Sequence, residues 1–561
     1  MKKILSVIIS SILILLPFGF CPKVLAEENS ANFAVASDIH YNLPEGSLSG
    51  EIDDPIYWYA NRRAAMENES GLILDAFLEQ CAADNECEFV LISGDLADNG
   101  RSVPEEHIAV AQKLQRFEEI SGKQVYVIDG NHDLGAGAKT DIEQFKTIYR
   151  EFGYAEALET DPATCSYTAD LNDKYRLIAL DSCDPSKSTE DGMDLSRVNW
   201  VLRQADKAYA DGKYPILMMH HNLLDHLPVQ RITSHNFIVK YHFSTASLFA
   251  DAGIRLVLTG HEHCSDATSF TSPAGNKIYD FATTSLTMYP LQYRYFTLSD
   301  SDISYKSLTV DRIDTDALKL QTNGYTDEQT RLMDDGLNAY AKGFLKAGVK
   351  YRLQLSLSKE KLGLSDGIPG DSIMRLVNKL TDIAEMPLYG DNSVETLASL
   401  YGISMPASNY QNLWDLATEL VSMHYAGEEA LKPTSDDVQI LLKSVAVVVR
   451  SVFSAKDASA LTIAAADLLN NAQASDISGI KTLCMQTFGQ VTPFEYFSAA
   501  LLSPFLYEFA YDSDGVNDNA GSMPGYGNTA TRYANSIENF RAVLRKILIY
   551  IRLFFEMLTI R

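Results

Sequence analysis

The chain has 561 residues, of which 46% are hydrophobic and 22% charged, and its formal net charge is −27. That length exceeds one ordinary core and implies at least two domains. The composition excludes wholesale disorder, and the acidity opposes any surface built for nucleic acid polymers or anionic lipid, which it repels over about a Debye length. A small anionic substrate stays admissible, because metal cations dominate the field inside a site that holds them.

The N-terminus reads as a targeting segment. Lys2 and Lys3 precede an apolar run from Ile4 to Phe20, and Val24-Leu25-Ala26 resembles a cleavage site before acidic Glu27 and Glu28. Residues 1–26 are therefore expected to be a secretory signal peptide, with a retained membrane anchor as the other reading. The segment holds Lys2, Lys3 and Lys23 and no acidic residue, so its removal would take the net charge from −27 to −30. The expected destination is extracellular or at the cell surface. Cys81 and Cys87 are close enough in sequence for a local disulfide, while Cys165, Cys183, Cys264 and Cys484 are scattered. Export permits a bond but does not require one.

The next unit, taken as 27–310, alternates strand-like and helix-like stretches. Short apolar runs occur at Phe33–Ala36, Phe89–Ile92, Val125–Ile128, Leu177–Leu180, Ile216–Met219 and Leu256–Thr259. Runs of this length suit buried strands. Longer stretches with helical spacing, such as 60–82 and 104–120, lie between them, and strand-like pieces at 277–285, 293–298 and 303–309 close the unit. The alternation implies an α/β layered fold. From 311 the texture changes: stretches near 327–347, 371–386, 408–424, 435–454, 456–472 and 492–510 have helical periodicity. Residues 311–561 are expected to form an all-α C-terminal domain.

The informative residues follow the apolar runs. Asp38-Ile39-His40, Gly94-Asp95-Leu96-Ala97-Asp98, Gly130-Asn131-His132-Asp133, His220-His221-Asn222 and Gly260-His261-Glu262-His263 each stand just after one. In α/β sheets, ligands bind outside the carboxyl ends of the strands, so the five clusters should converge on one edge. Carboxylate, amide oxygen and neutral imidazole together suit divalent first-row metals, whereas thiolate would favour softer ions. Glycines before Asp95, Asn131 and His261 allow tight turns and close backbone approach. Two metals about 3.5–4 Å apart can activate a water and clamp a phosphoryl oxygen. Each cluster alone is an ordinary turn or a chance pair; their ordered recurrence is not.

The series resembles the calcineurin-like metallophosphoesterases, with their D-x-H, G-D, G-N-H-[DE], H and G-H-x-H blocks, over roughly residues 31–290. The resemblance implies a two-sheet β-sandwich flanked by helices and a dinuclear centre, with Mn or Fe favoured and Zn the further choice. It implies that Asp38, His40 and His263 hold one metal, that Asn131, His220 and His261 hold the other, and that Asp95 bridges both. His132 would face the phosphate, oriented by the Asp98 carboxylate. At His220-His221 the family pattern favours His220, although Asn222 stands where a proline is usual. The implied chemistry is attack by a metal-activated hydroxide on a small phosphate ester.

Within the family, Asp98 occupies the position where purple acid phosphatases place a tyrosine ligand, and Asp133-Leu134 departs from the G-N-H-E-F-D of 5′-nucleotidases. Break-repair nucleases share G-N-H-D, but the acidic chain opposes a DNA substrate. The D-x-H, GDLxD and GNHD forms together are most similar to class III cyclic-nucleotide phosphodiesterases and to exported bacterial members with a helical extension. Phosphodiester hydrolysis is the expected activity. A phosphomonoesterase or nucleotidase of the same fold, and a non-catalytic surface-binding protein on this scaffold, stay open as alternatives, and nothing in the sequence sets the oligomeric state.

Three weaker signals remain. Phe540–Arg561 is apolar, with Arg541, Arg545, Arg552 and Glu556 on one side of a helix; it suits a membrane surface or a helical core. Asp512-x-Asp514-Gly515-x-x-Asp518 lacks the full spacing and distal Glu of a calcium loop and reads as a polar turn. Tyr57, Trp58 and Tyr59 suit either a stacking platform for a base or ordinary packing.

Overall fold

The computed structural model describes residues 30–44, 64–187, 190–227, 230, 235–356, 368–471, 477–512, 514–528 and 549. The expected signal peptide, the aromatics Tyr57–Tyr59 and, apart from Ile549, the amphipathic segment Phe540–Arg561 lie outside these residues.

Each apolar run forms a strand. The elements of the first half are β1 (Ala31–Ala36), α1 (Ser70–Ala83), β2 (Phe89–Ile92), α2 (Pro104–Ser121), β3 (Gln124–Val127), α3 (Ile142–Ile148), β4 (Glu159–Thr160), β5 (Tyr167–Asp170), β6 (Tyr175–Leu180), α4 (Leu195–Ala210), β7 (Tyr214–Met219), α5 (His242–Asp251), β8 (Leu256–Thr259), β9 (Asp266–Thr271), β10 (Lys277–Ala282), β11 (Gln292–Leu298) and β12 (Asp302–Thr309). With β13 (Ala520–Pro524) they make two sheets, ordered β13-β12-β11-β1-β2-β3 and β4-β5-β6-β7-β8-β10-β9. In the first, β1, β2 and β3 run parallel; in the second, β6, β7 and β8 do.

The two-residue period of a strand explains the layers. Leu177 and Ala179 of β6 and Ile216 and Met218 of β7 join Phe33, Leu91 and Phe296 of the other sheet in one core. Their neighbours Ile178, Leu180, Leu217 and Met219 point the other way and pack on Val198, Trp200, Leu248 and Phe249 of α4 and α5. Phe281 and Phe296 meet edge to face across the sheets at 5.1 Å. This is a mixed α/β sandwich with flanking helices. The strand β9, DATSFT, has no apolar run to announce it and is held by its register against β10.

The second half is helical: α6 (Thr315–Gln321), α7 (Asp327–Ser356), α8 (Ile368–Ala384), α9 (Val394–Leu400), α10 (Leu413–Tyr425), α11 (Asp436–Val452), α12 (Ala458–Asn471), α13 (Ile477–Phe488) and α14 (Pro493–Phe509). Its own core gathers Leu416, Leu420, Leu442, Val445, Val449, Leu483 and Leu506. Packing crosses the boundary expected at 310, because Met333, Leu337, Ala341 and Leu345 of α7 belong to the sandwich core. The helical region also contributes one strand: β13 pairs antiparallel with β12. The turn before β13 is polar: Asp512 accepts from the amide of Asp514, and Asp518 accepts from the amide of Ala267 at 2.9 Å. No single described helix is long and apolar enough to cross a membrane. Cys81 and Cys87 are both buried free thiols.

Candidate metal centre

Strand register brings the clusters together. Ala36 pairs with Ile92, and Ile92 with Val127, so β1, β2 and β3 end level. Asp38, Asp95 and Asn131 follow those ends by two, three and four residues. In the other sheet Met218 pairs with Leu258, which sets His220 beside His261. Hydrogen bonds then lock one sheet edge to the other: the His261 amide donates to Asp38 Oδ2 at 2.9 Å, and His220 Nδ1 meets the Ser93 carbonyl at 3.0 Å.

The backbone at this edge is unusual. Asp38, His40, Asp95, His261 and His263 all have positive φ, between 44° and 68°. Such conformations cost about 1–3 kcal/mol each and persist where surrounding structure imposes them. Here the amides of Asp38 and His40 are tied to the carbonyls of Gly94 and Asp95 at 3.1 and 2.9 Å. Three glycines make room. A Cβ on Gly130 would collide with Asp95 Oδ1, one on Gly260 with Ser37 Oγ and Asp38 Oδ2, and one on Gly94 with the His220 ring.

The donor atoms converge as lone pairs. His40 Nδ1 lies 3.1 Å from Asp98 Oδ1, an acceptor only, so that nitrogen carries the proton and Nε2 is bare. His40 Nε2 lies 3.1 Å from His263 Nε2, and His263 Nε2 lies 3.1 Å from Asp38 Oδ1. On the other side His220 gives its Nδ1 proton to Ser93, leaving Nε2 at 3.1 Å from Asn131 Oδ1 and 3.3 Å from Asp95 Oδ2. Asp38 Oδ1, Asp95 Oδ2 and His261 Nε2 are buried without a hydrogen-bond partner. Acceptors facing acceptors in a buried space need protons or cations between them, and oxygen and imidazole donors crowded in this way suit a divalent ion. Asp38, His40 and His263 form one group of ligand atoms within 4.8 Å of one another, and Asp95, His220 and His261 a second. The residues therefore fit divalent ions, of which Asp38, His40 and His263 would hold one and Asp95, Asn131, His220 and His261 another.

The electrostatics follow from burial and crowding. Burial resists charge on Asp38 and Asp95, but the surrounding imidazoles outweigh it and hold both carboxyls below their usual range. Burial also opposes charging His220, yet Asp95 and Asp38 push it up to about 10. His40 is held down to about 4 by burial, against the pull of Asp98 and Asp95. Without a cation His40 and His220 would thus be unlike imidazoles; divalent ions held by these residues would favour the neutral form of both.

His132 stands at the rim, 24% exposed, while His40 and His220 are buried. Its amide donates to Asp95 Oδ1 at 2.7 Å. Its Nδ1 bonds the backbone carbonyl of Asp98 at 2.8 Å, and the Asp98 carboxylate reaches it only at 3.9 Å. The Asp98 carboxylate expected to orient His132 lies nearer to His40 Nδ1, at 3.1 Å. The carboxylate is thus shared unequally between the two rings, and the main chain accepts from His132. His221 lies apart from the ligand groups: Nδ1 meets Ser182 Oγ at 3.0 Å, its ring packs on His261 at 4.6 Å, and burial beside His220 holds it down to about 3.

Residues 31–265 match the model of the calcineurin-like phosphoesterase family. This part of the chain is a calcineurin-like phosphoesterase domain. No curated protein matches the sequence. Solved structures similar to it include a dimetal phosphatase from Danio rerio, at 12% identity over 50% of this chain and 96% of that one, with a TM-score of 0.36. A predicted phosphoesterase from Streptococcus pneumoniae is 13% identical over 50% and 91%, with a TM-score of 0.23. The NAD nucleotidase of Haemophilus influenzae is 12% identical over 56% and 60%, with a TM-score of 0.28.

The centre also uses residues to which the sequence assigned no role. Met288 Sδ lies 3.1 Å from His263 Nδ1, and the Ser285 hydroxyl donates to the Asp38 carbonyl at 2.7 Å. Arg101 donates to the Asn131 carbonyl at 2.8 Å. Asp133, inside the Gly-Asn-His-Asp block, accepts from the amides of Leu96, Ala97 and Gly130 at 3.2, 3.0 and 2.7 Å and so ties two ligand turns together. Only the last stood inside a recognisable block; the others act across long sequence separations.

Proposed function

We propose that the protein is an exported, dinuclear-metal phosphodiesterase acting on a small phosphate ester. The observation that carries the hydrolase reading is the pair of facing acceptor sets, Asp38–His40–His263 and Asp95–Asn131–His220–His261, on one sheet edge. When bound, two divalent ions there would activate water and neutralise phosphate charge. The chain's own part is positional. Asp98, Ser93 and Met288 orient the imidazoles, and Asp133 and Arg101 hold the turn that carries Asn131 and His132. His132, at the rim, is placed to meet a phosphate oxygen and to donate a proton to the leaving group. Diester preference rests on the GDLxD and GNHD forms, and export on residues 1–26.

The test is manganese-dependent hydrolysis of bis(p-nitrophenyl) phosphate by the full chain, followed by a panel of cyclic nucleotides, nucleoside monophosphates, phosphodiester lipids and phosphopeptides. Diester turnover that Asp95→Ala abolishes is expected. Turnover of monoesters alone would replace the diester reading, and no metal-dependent turnover of any ester would leave a non-catalytic binding protein.

A further inference from the structure

Behind the metal centre lies a second group of donors that the phosphoesterase reading does not use. Asp129 follows β3 in one sheet, and Asp181 and Cys183 follow β6 in the other. All three are buried, at 0, 1 and 2% exposure, and one donor atom from each lies within 4.8 Å of the others.

The two acids differ in how they are satisfied. Asp181 accepts from the amides of Cys183 at 2.9 Å and Cys165 at 3.0 Å. Neither carboxylate oxygen of Asp129 has a hydrogen-bond partner. Arg197 lies 4.0 Å from Asp181 Oδ1, but its guanidinium is spent on the carbonyls of Asp181, Gly192 and Cys183. A fully buried carboxylate with no donor is among the most costly groups a fold can hold. A bound proton would reduce that cost and still leave an unmatched hydroxyl; a cation would engage Asp129, Asp181 and the thiol together.

We propose that Asp129, Asp181 and Cys183 hold a third divalent ion, of the zinc class, that staples the two sheets behind the catalytic edge. The donor set selects it: two carboxylates with one thiolate suit zinc, whereas magnesium and calcium want oxygen alone. The role follows from what comes next in each strand. Two residues after Asp129 stands Asn131, and one after Asp181 stands Ser182, whose hydroxyl meets His221 Nδ1 at 3.0 Å. An ion here fixes the spacing of β3 and β6 and hence the bed on which Asn131 and His221 rest.

Cobalt(II) separates this ion from the dinuclear centre, whose donor groups include no thiolate. The full chain, loaded with zinc and then with cobalt, should bind three equivalents and show a cobalt–thiolate charge-transfer band. Cys183→Ser should lose one equivalent and the band. Asp129→Asn, nearly isosteric, should do the same and guards against a Cys183→Ser protein that does not fold. Asp95→Ala should keep the band while losing metal elsewhere, so failure of the phosphoesterase reading leaves this test standing. Two equivalents in the parent chain, or a band that survives Cys183→Ser, would overturn the proposal and leave Asp129 a buried protonated acid.

Discussion

His40 and His263 face each other through their Nε2 atoms at 3.1 Å, while His40 Nδ1 is held by Asp98 and His263 Nδ1 by Met288. Two imidazole lone pairs in that position repel unless a proton or a metal cation lies between them, and the metal would also engage Asp38 Oδ1. Chelation should therefore cost stability as well as activity. At a free-metal concentration of 100 Kd each ion contributes about 2.7 kcal/mol, so treatment with dipicolinate or EDTA should lower Tm by several degrees, and manganese should restore it. An unchanged Tm on complete metal removal would contradict the cation reading of the pair.

Asp98 gives the sharpest mutational test, since its two ends act on different histidines. Asp98→Asn keeps the carbonyl that holds His132 and removes the charge that holds His40. Loss of an outer partner of a metal-bound imidazole typically costs 10–100-fold in metal affinity or activity. The variant should need about that much more manganese for half-activation and recover near-parental kcat at saturation. A kcat deficit that excess metal does not repair would return the carboxylate to His132.

Substituting His132 by alanine should leave both ligand groups intact, because the ring stands at the rim. General acid–base contributions run at about 10²–10⁴-fold; kcat should fall within that range at unchanged metal content by elemental analysis. Metal loss in this variant would make His132 a ligand instead.

A methyl group at Gly260 would collide with Ser37 Oγ and Asp38 Oδ2. Gly260→Ala should displace the Asp38 carboxylate and lower metal occupancy at the Asp38–His40–His263 group. Gly275, with open space around its Cβ position, is the control; its positive φ adds backbone strain without touching the centre. Equal metal content in both variants would show that the close approach at Gly260 is not needed.

His107 couples stability to pH. It is fully buried, with Nε2 at 2.8 Å from the Asp133 carbonyl and Nδ1 at 2.9 Å from the Tyr149 hydroxyl. Burial holds it down from 6.5 to about 4. Between those values the unfolded chain binds the extra proton, so stability is present above about pH 6.5 and is lost as pH falls toward 4. The interval corresponds to roughly 3 kcal/mol. His107→Gln should start less stable and lose less over that window, as read from urea midpoints at each pH; parallel slopes would count against it.

Much of the centre was legible locally. An apolar run followed by glycine and a ligand-type residue marks a buried strand and the turn that leaves it, and both depend on near neighbours in the chain. That is why Asp38, Asp95, Asn131, His261 and most of the sandwich strands could be read in order, while β4, β5, β9 and β13, whose pairing partners supply their stability, could not.

By itself the sequence determined which strand ends carry donors and what kind of ion those donors suit. Tertiary structure decided which atoms meet. The level ends of β1, β2 and β3 set Asp38, Asp95 and Asn131 side by side. Ser93 turned the His220 ring toward Asn131, whereas Ser182 engaged His221 outside the ligand groups. The turn at Asp98 gave its carboxylate to His40 and its carbonyl to His132. Those outcomes depend on register, on the sign of φ and on hydrogen bonds that span more than thirty residues in every case, and no local pattern of residue types encodes them.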